Sequence, residues 1–214
     1  MKRFVFGFFF FFLIKNSHAQ KVEGGLLLGF NSCQIDGDFV GGYDKLGLRA
    51  GVFAQTGFKT HYSFRLEMAY SNRGSRQTYK EFEPLTGLWD MVSLHYIELP
   101  FLFTYDIPYQ KIKGLNANWL QNVYAVGGLT ASYLIGQNII ALNGGAYGSN
   151  PFKDWEWGAQ GGSGYKINKR LNAEVRFHYS VISISKGNNT LWFQPNRGFR
   201  NNLMTLQINY NFRS

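Results

Sequence analysis

Sulfur, proline and charge are all scarce in this chain. A single cysteine, Cys33, stands among 214 residues, so no intramolecular disulfide braces the fold. Five prolines and the absence of any charge run leave no linker to mark a boundary, and the length suits one domain. Beyond Ala19 no apolar stretch approaches the ~20 residues that a membrane-spanning helix needs. The longest candidates are interrupted by Glu98, by Pro100 or by glycine pairs, which excludes a helical membrane protein. The histidines beyond that point, His61, His95 and His178, lie on separate segments and offer no metal-ligand spacing. Gly161-Gly162-Ser163-Gly164 has no following lysine and no helix, so it is not a phosphate loop. No cofactor and no metal are expected.

What is present begins with an export signal. Lys2 and Arg3 precede the apolar run Phe4–Ile14, and Ser17-His18-Ala19 supplies a small-residue cleavage site before Gln20. Residues 1–19 therefore read as a secretory signal peptide and residues 20–214 as the mature domain. Removing the first nineteen takes three bases and no acid from a formal charge of +9, leaving +6. A cytosolic protein is ruled out, and no nucleic-acid partner is expected despite the basic balance.

The mature chain is rich in Gly, Tyr and Phe, and it alternates. A strand sends successive side chains to opposite faces, so a period of two separates two environments. In Tyr62–Arg73, Tyr62, Phe64, Leu66, Met68 and Tyr70 oppose Arg65, Glu67, Ser71 and Arg73. Leu171–Val181 repeats the device, with Val175, Phe177 and Tyr179 against Glu174, Arg176 and His178. Met204, Leu206, Ile208, Tyr210 and Phe212 oppose Thr205, Gln207 and Asn209 within Asn201–Phe212. His95–Tyr105, Trp155–Ile167 and Leu46–Phe58 follow the same rule, placing Glu98, Glu156, Lys166 and Arg49 on their polar faces. Val22–Ser32 and Gln121–Ile135 are Gly-rich and apolar on both faces, which leaves their register open. The total is eight segments, each near the ~9–11 residues of a tilted transmembrane strand.

A soluble sandwich alternates too, but its outer face is wetted by many Lys and Glu. Here the apolar face carries aromatics near both strand ends, and the polar face mixes Arg, Glu, Gln, Ser and Gly. That pattern suits an eight-stranded antiparallel barrel with lipid outside and packed polar groups inside. The connections Ile35–Lys45, Gly74–Val92, Gly136–Lys153 and Ile182–Asn201 are long, whereas Lys59–His61 and Asn168–Arg170 are short. Short periplasmic turns and long extracellular loops are the usual asymmetry; Asp106–Leu120 is a longer turn on the short side. Outer-membrane lipids and lipopolysaccharide, and the β-barrel assembly machinery during biogenesis, are the partners such a barrel implies.

Several stretches carry a family likeness: Leu46-Gly47-Leu48-Arg49-Ala50-Gly51-Val52-Phe53-Ala54, Leu66-Glu67-Met68-Ala69-Tyr70-Ser71-Asn72-Arg73-Gly74-Ser75, Tyr96-Ile97-Glu98-Leu99-Pro100-Phe101-Leu102, Val175-Arg176-Phe177-His178-Tyr179-Ser180, and the terminal strand Asn201–Phe212. In this order they resemble the PorT-like outer-membrane β-barrel family of Bacteroidota, over about Gln20–Phe212. The resemblance implies an outer-membrane location and an accessory or structural role that extends to type IX secretion components. Such barrels often end on the aromatic, whereas here Arg213 and Ser214 follow Phe212.

An eight-stranded barrel is filled by its own side chains. The expected interior holds Arg49, Arg65, Arg73, Lys166 and Arg176 with Glu67, Glu98, Glu156 and Glu174. These must pair, because an unmatched buried charge costs several kcal/mol. Arg65 with Glu98 and Arg176 with Glu156, on neighbouring strands, are the expected pairs. The expected function is therefore non-enzymatic. Surface binding through the long loops is the alternative, with Trp89 and Trp192 as candidate contacts. A lipid A-modifying enzyme is the remaining reading, because His178 and Ser180, on one face, resemble the His-x-Ser pair of an outer-membrane lipid A deacylase. The inward direction of that face makes them members of an interior hydrogen-bond network instead.

Overall fold

The computed structural model describes residues 22–38, 41–77, 89–108, 118–141, 151–186 and 198–212. The export signal of residues 1–19, the cleavage position and Trp192 lie outside the described residues. Eight strands run β1 Val22–Asp36, β2 Lys45–Lys59, β3 Tyr62–Arg76, β4 Trp89–Asp106, β5 Val123–Ala141, β6 Trp155–Lys166, β7 Leu171–Ser180 and β8 Arg200–Asn211. Each pairs antiparallel with its neighbour in sequence, and β8 returns to β1, so the sheet closes into a barrel. Closure removes the free edges that an open sheet would present. The eight alternating segments expected from sequence are these eight strands.

The two faces are inverted relative to a water-soluble protein. Among the described residues, thirty-three large apolar side chains are exposed and eighteen apolar ones are buried. Leu28, Leu66, Phe103, Leu129, Trp157, Phe177 and Leu206 all point outward. Each such side chain left in water would forgo about 1.5–3 kcal/mol of burial, so the belt belongs in hydrocarbon. Aromatic pairs flank it. Phe58, Tyr62 and Tyr105 stack in sequence at the end with the tightest turns, with centroids 5.9 and 4.9 Å apart. Tyr133 meets Trp155 edge-on at 5.0 Å at the other end, as interfacial aromatics do. The register left open in β1 is resolved with Leu26, Leu28 and Phe30 outward and Leu27, Asn31 and Cys33 inward. In β5, Leu129 and Tyr133 face outward and Thr130 and Ser132 inward.

Several strands run further than the alternation suggests. β3 continues through Gly74 to Arg76, β4 begins at Trp89 rather than His95, and β5 reaches Ala141 rather than Ile135. Gly136–Lys153 and Gly74–Val92 are therefore partly strand, and Trp89 opens β4 opposite Ala141 instead of lying in a loop. The cause is a reversal of polarity inside the barrel. At this end, opposite the tight turns after β2 and β6, the lumen is apolar, filled by Ile35, Val92, Leu94, Tyr96, Leu134, Ile139, Phe152, Ile184 and Phe199. The apolar-out pattern stops at that level although the strands do not. Gly74, at φ +139°, takes a backbone conformation that residues with a Cβ rarely adopt. β5 is also bulged there, with His95 opposite Gly136 and Tyr96 opposite Leu134.

Short chain segments beyond the strands complete this apolar plug. Phe152 bridges to Ser185, the Lys153 N–H donates to the Ile184 carbonyl at 2.7 Å, and the Ile184 N–H donates to the Phe199 carbonyl at 2.8 Å. At the opposite end the connections are brief after β2 and β6. The longer one after β4 carries a 3-10 turn at Asn118–Asn122, so Gln121 lies before β5 and not within it.

Candidate functional site

Below the apolar plug, the lumen contains a single ladder of alternating charge. Glu156 on β6 accepts from Arg73 on β3 at 2.9 Å. Arg73 also donates to Glu98 on β4, which accepts from Arg49 on β2 at 2.6 Å. Arg49 pairs with Glu67 on β3 at 2.9 Å, and Glu67 with Arg176 on β7 at 2.6 Å. Arg176 donates to its neighbour Glu174, and Glu174 accepts from Arg65 on β3 at 2.5 Å. Four arginines and four glutamates thus alternate along the bore, each at most 3% exposed.

Such a ladder is sustainable because the charges cancel and the spare lone pairs and N–H groups are used. A buried ion that loses its partner costs several kcal/mol, and charge-assisted bonds repay part of the desolvation. Gln207 accepts from Arg49 and donates to Glu174 at 3.2 Å. The Tyr124 hydroxyl donates to Glu174 at 2.5 Å, and Gln55 accepts from Arg65 Nε at 2.8 Å. The Arg65 guanidinium sits 5.2 Å over the Phe53 ring, and that of Arg73 5.1 Å over Tyr96.

At the top rung, Glu156 gathers further donors. Ser180 Oγ donates to it at 2.7 Å, Asn201 Nδ2 at 2.8 Å, and His178 Nε2 lies 3.0 Å away. The Ser180 oxygen in turn accepts the Asn201 backbone N–H at 3.0 Å. His178 and Ser180 do share a face, as their spacing implies, and that face looks into the bore.

Room for these long side chains comes from glycines on the neighbouring strand β6, Gly158 beside His178 on β7 and Gly164 opposite Tyr124 on β5. A Cβ at Gly158 would overlap the His178 ring, and one at Gly164 would overlap the Tyr124 ring. Their hydrogen side chains let the larger groups cross over.

Eight of the nine expected interior charges meet in the ladder. The ninth, Lys166, does not. It ends β6 at the mouth of the barrel, with its side chain 43% exposed, and pairs with Asp106 at 2.7 Å. The pairings differ as well: Arg65 joins Glu174 rather than Glu98, and Arg176 joins Glu67 and Glu174 rather than Glu156. Register explains this. Arg65 lies opposite Leu102, while Glu98 lies opposite Ala69, four residues along. Neighbouring strands therefore hold these charges at different depths, and partners are found across the bore. Gln207, Tyr124 and Gln55, absent from the expected network, stand on inward positions of their strands, and that parity was the signal available to find them. The side chain of Trp89 lies outside the described residues.

Solved structures of similar architecture include Ail, the attachment invasion locus protein of Yersinia pestis, at 11% identity over 90% of this chain and 99% of that one, with a TM-score of 0.47. Neisserial surface protein A follows at 16% identity, 89% and 96% coverage and a TM-score of 0.45. OprG from Pseudomonas aeruginosa gives 12% identity, 90% and 95% coverage and 0.40. No curated protein matches the sequence. Residues 16–186 match the model of the outer membrane protein beta-barrel domain. With its closed ring of eight strands and its apolar outer belt, the chain belongs to that family and resides in the outer membrane.

Proposed function

We propose that this barrel is a non-enzymatic, non-conducting component of the outer membrane, serving the envelope in a structural or accessory role of the PorT-like kind. The observation that carries this reading is the ladder from Glu156 to Arg65, which fills the bore with paired charges. The apolar plug stands above it. An ion crossing the lumen would have to separate buried pairs or enter an apolar layer, and both are costly. The test is conductance in a planar bilayer. The purified barrel is expected to give no steady openings, and regular nanosiemens steps would overturn the proposal.

The arrangement of His178 and Ser180 favours a structural role for both. Ser180 donates to Glu156 and not to His178, whereas a serine nucleophile needs its base within hydrogen-bond reach. Both are also enclosed, away from acyl chains. The lipid A composition of cells carrying Ser180→Ala should match that of the parent; altered acylation would restore an enzyme.

The accessory role in type IX secretion rests on the likeness of Leu66–Ser75, Tyr96–Leu102 and Val175–Ser180 to PorT-like barrels. Deletion of the gene followed by proteomics of surface and medium tests it directly. Loss of proteins bearing type IX sorting domains is the expected result. Intact secretion would leave a structural barrel that contacts outer-membrane lipid and lipopolysaccharide. Arg200, 5.9 Å over the Tyr179 ring, is one cation suited to an anionic headgroup.

A further inference from the structure

Beneath the last rung the lumen opens as a blind cup. Its volume is about 190 Å³, far more than the ~10–15 Å³ by which a cavity admits one water. Arg65 and Tyr124 form the floor, both fastened to Glu174. Glu23, Asp106, Lys166 and Lys169 stand at the lip, two acids with two bases. The cup lies at the end that carries the short turns, which in barrels of this type faces the periplasm.

Three features distinguish it from a simple solvated mouth. The ladder above is complete in itself, four bases to four acids, so the charges at the lip are not needed to balance the interior. The lip brings both signs to one small volume. Lys166 Nζ lies 2.7 Å from Asp106 Oδ1, with the two side chains 43% and 40% exposed. An ion pair so open to water is held weakly, and each partner is free to exchange for a group of the same charge. The turn that presents Lys169 is also braced, because Asn168 Oδ1 accepts the N–H groups of Arg170 and Leu171 at 2.8 and 2.9 Å.

We propose that this cup binds a small zwitterionic ligand of dipeptide size, with its carboxylate on Lys166 and Lys169 and its ammonium on Asp106. Simultaneous recognition of both ends selects a free amino terminus and a free carboxyl terminus at short separation. Peptide fragments of the periplasm have that chemistry. The site is independent of the accessory role argued above, since it needs only the closed floor and the charged lip.

Nuclear magnetic resonance of the ¹⁵N-labelled barrel in micelles, titrated with alanyl-alanine, tests it. Saturable shifts are expected at cup amides such as Thr104, Asn172 and Asn211, with none at Leu94 or Ile139 in the outer plug. N-acetylated and C-amidated forms of the same dipeptide should bind about tenfold more weakly, each lacking one charged contact. Lys166→Ala and Asp106→Ala should do the same, and Arg200→Ala, at the opposite end, should not. Shifts that fail to saturate, or equal binding of the blocked dipeptides, would overturn the site. The blocked dipeptides are read on the unaltered protein, so the outcome does not depend on how any variant folds.

Discussion

Glu67 and Arg176 meet from β3 and β7, half a circumference apart in a ring of eight, through two parallel bonds of 2.9 and 2.6 Å. This fork fixes the distance between opposite walls, because bidentate pairing allows little change in angle or spacing. Glu67→Gln should therefore destabilise the barrel by about 3 kcal/mol, toward the lower end for a broken buried pair. Arg176 keeps Glu174, and Arg49 keeps Glu98. Adding Arg176→Met should cost less than the sum of the two single changes. Urea unfolding in micelles, followed by tryptophan fluorescence, measures both.

Glu98 stands between Arg49 and Arg73. Glu98→Ala would leave two buried guanidinium groups without the carboxylate that separates them. The expected outcome is a clear fall in thermal resistance, read as earlier loss of the compact band on unheated gels. Unchanged unfolding would remove Glu98 from the load of the ladder.

Phe177 is 57% exposed on the outer face of β7. If that face meets lipid, Phe177→Arg should cost about 2–4 kcal/mol in a bilayer. On a water-exposed face the same change would be close to neutral. Folding titrations in lipid vesicles distinguish the two.

The glycine wall makes a contrast within one strand. Gly158→Ala drives a methyl into the His178 ring and should destabilise by about 1–3 kcal/mol, as overpacking does. At Gly161 the nearest atom to an added Cβ is 3.8 Å away, so Gly161→Ala should be tolerated.

Phe152 and Phe199 lie 6.2 Å apart in the outer plug, both essentially buried. Phe152→Ala should cost about 3–5 kcal/mol locally, seen as faster amide exchange at Ile184 and Val92. Conductance should stay absent, since the charge ladder below is untouched.

Much of this was legible in the sequence because one face of each strand had to meet lipid. Phe64, Leu66 and Met68 against Arg65 and Glu67 announce their own orientation, and the eight glutamate and arginine positions follow from parity alone. Parity says nothing of depth. Which arginine meets which glutamate depends on how far each strand is displaced along its neighbour, and nothing local to Arg65 or Glu98 records that displacement. The outer plug was hidden for a different reason. Val92, Leu94 and Ile139 are apolar and point inward, so a rule that reads apolar as outward ends the strands too soon. Lys166 shows the remaining limit: parity gives its face, but at the mouth of a barrel an inward face is already wet.

The ladder also acts as a ruler. Hydrophobic patterning forbids a strand from slipping by one residue, because every side chain would change face. A slip by two keeps all faces and would escape that check. In β7 such a slip would set Arg176 at the level of Glu174 or of His178, bringing Arg176 against Arg65 or Glu174 against Glu67. The alternating charges therefore penalise the misalignments that the lipid cannot detect, and for β7 they do so across the bore, against Glu67 and Arg65 on a strand that it never touches as a neighbour.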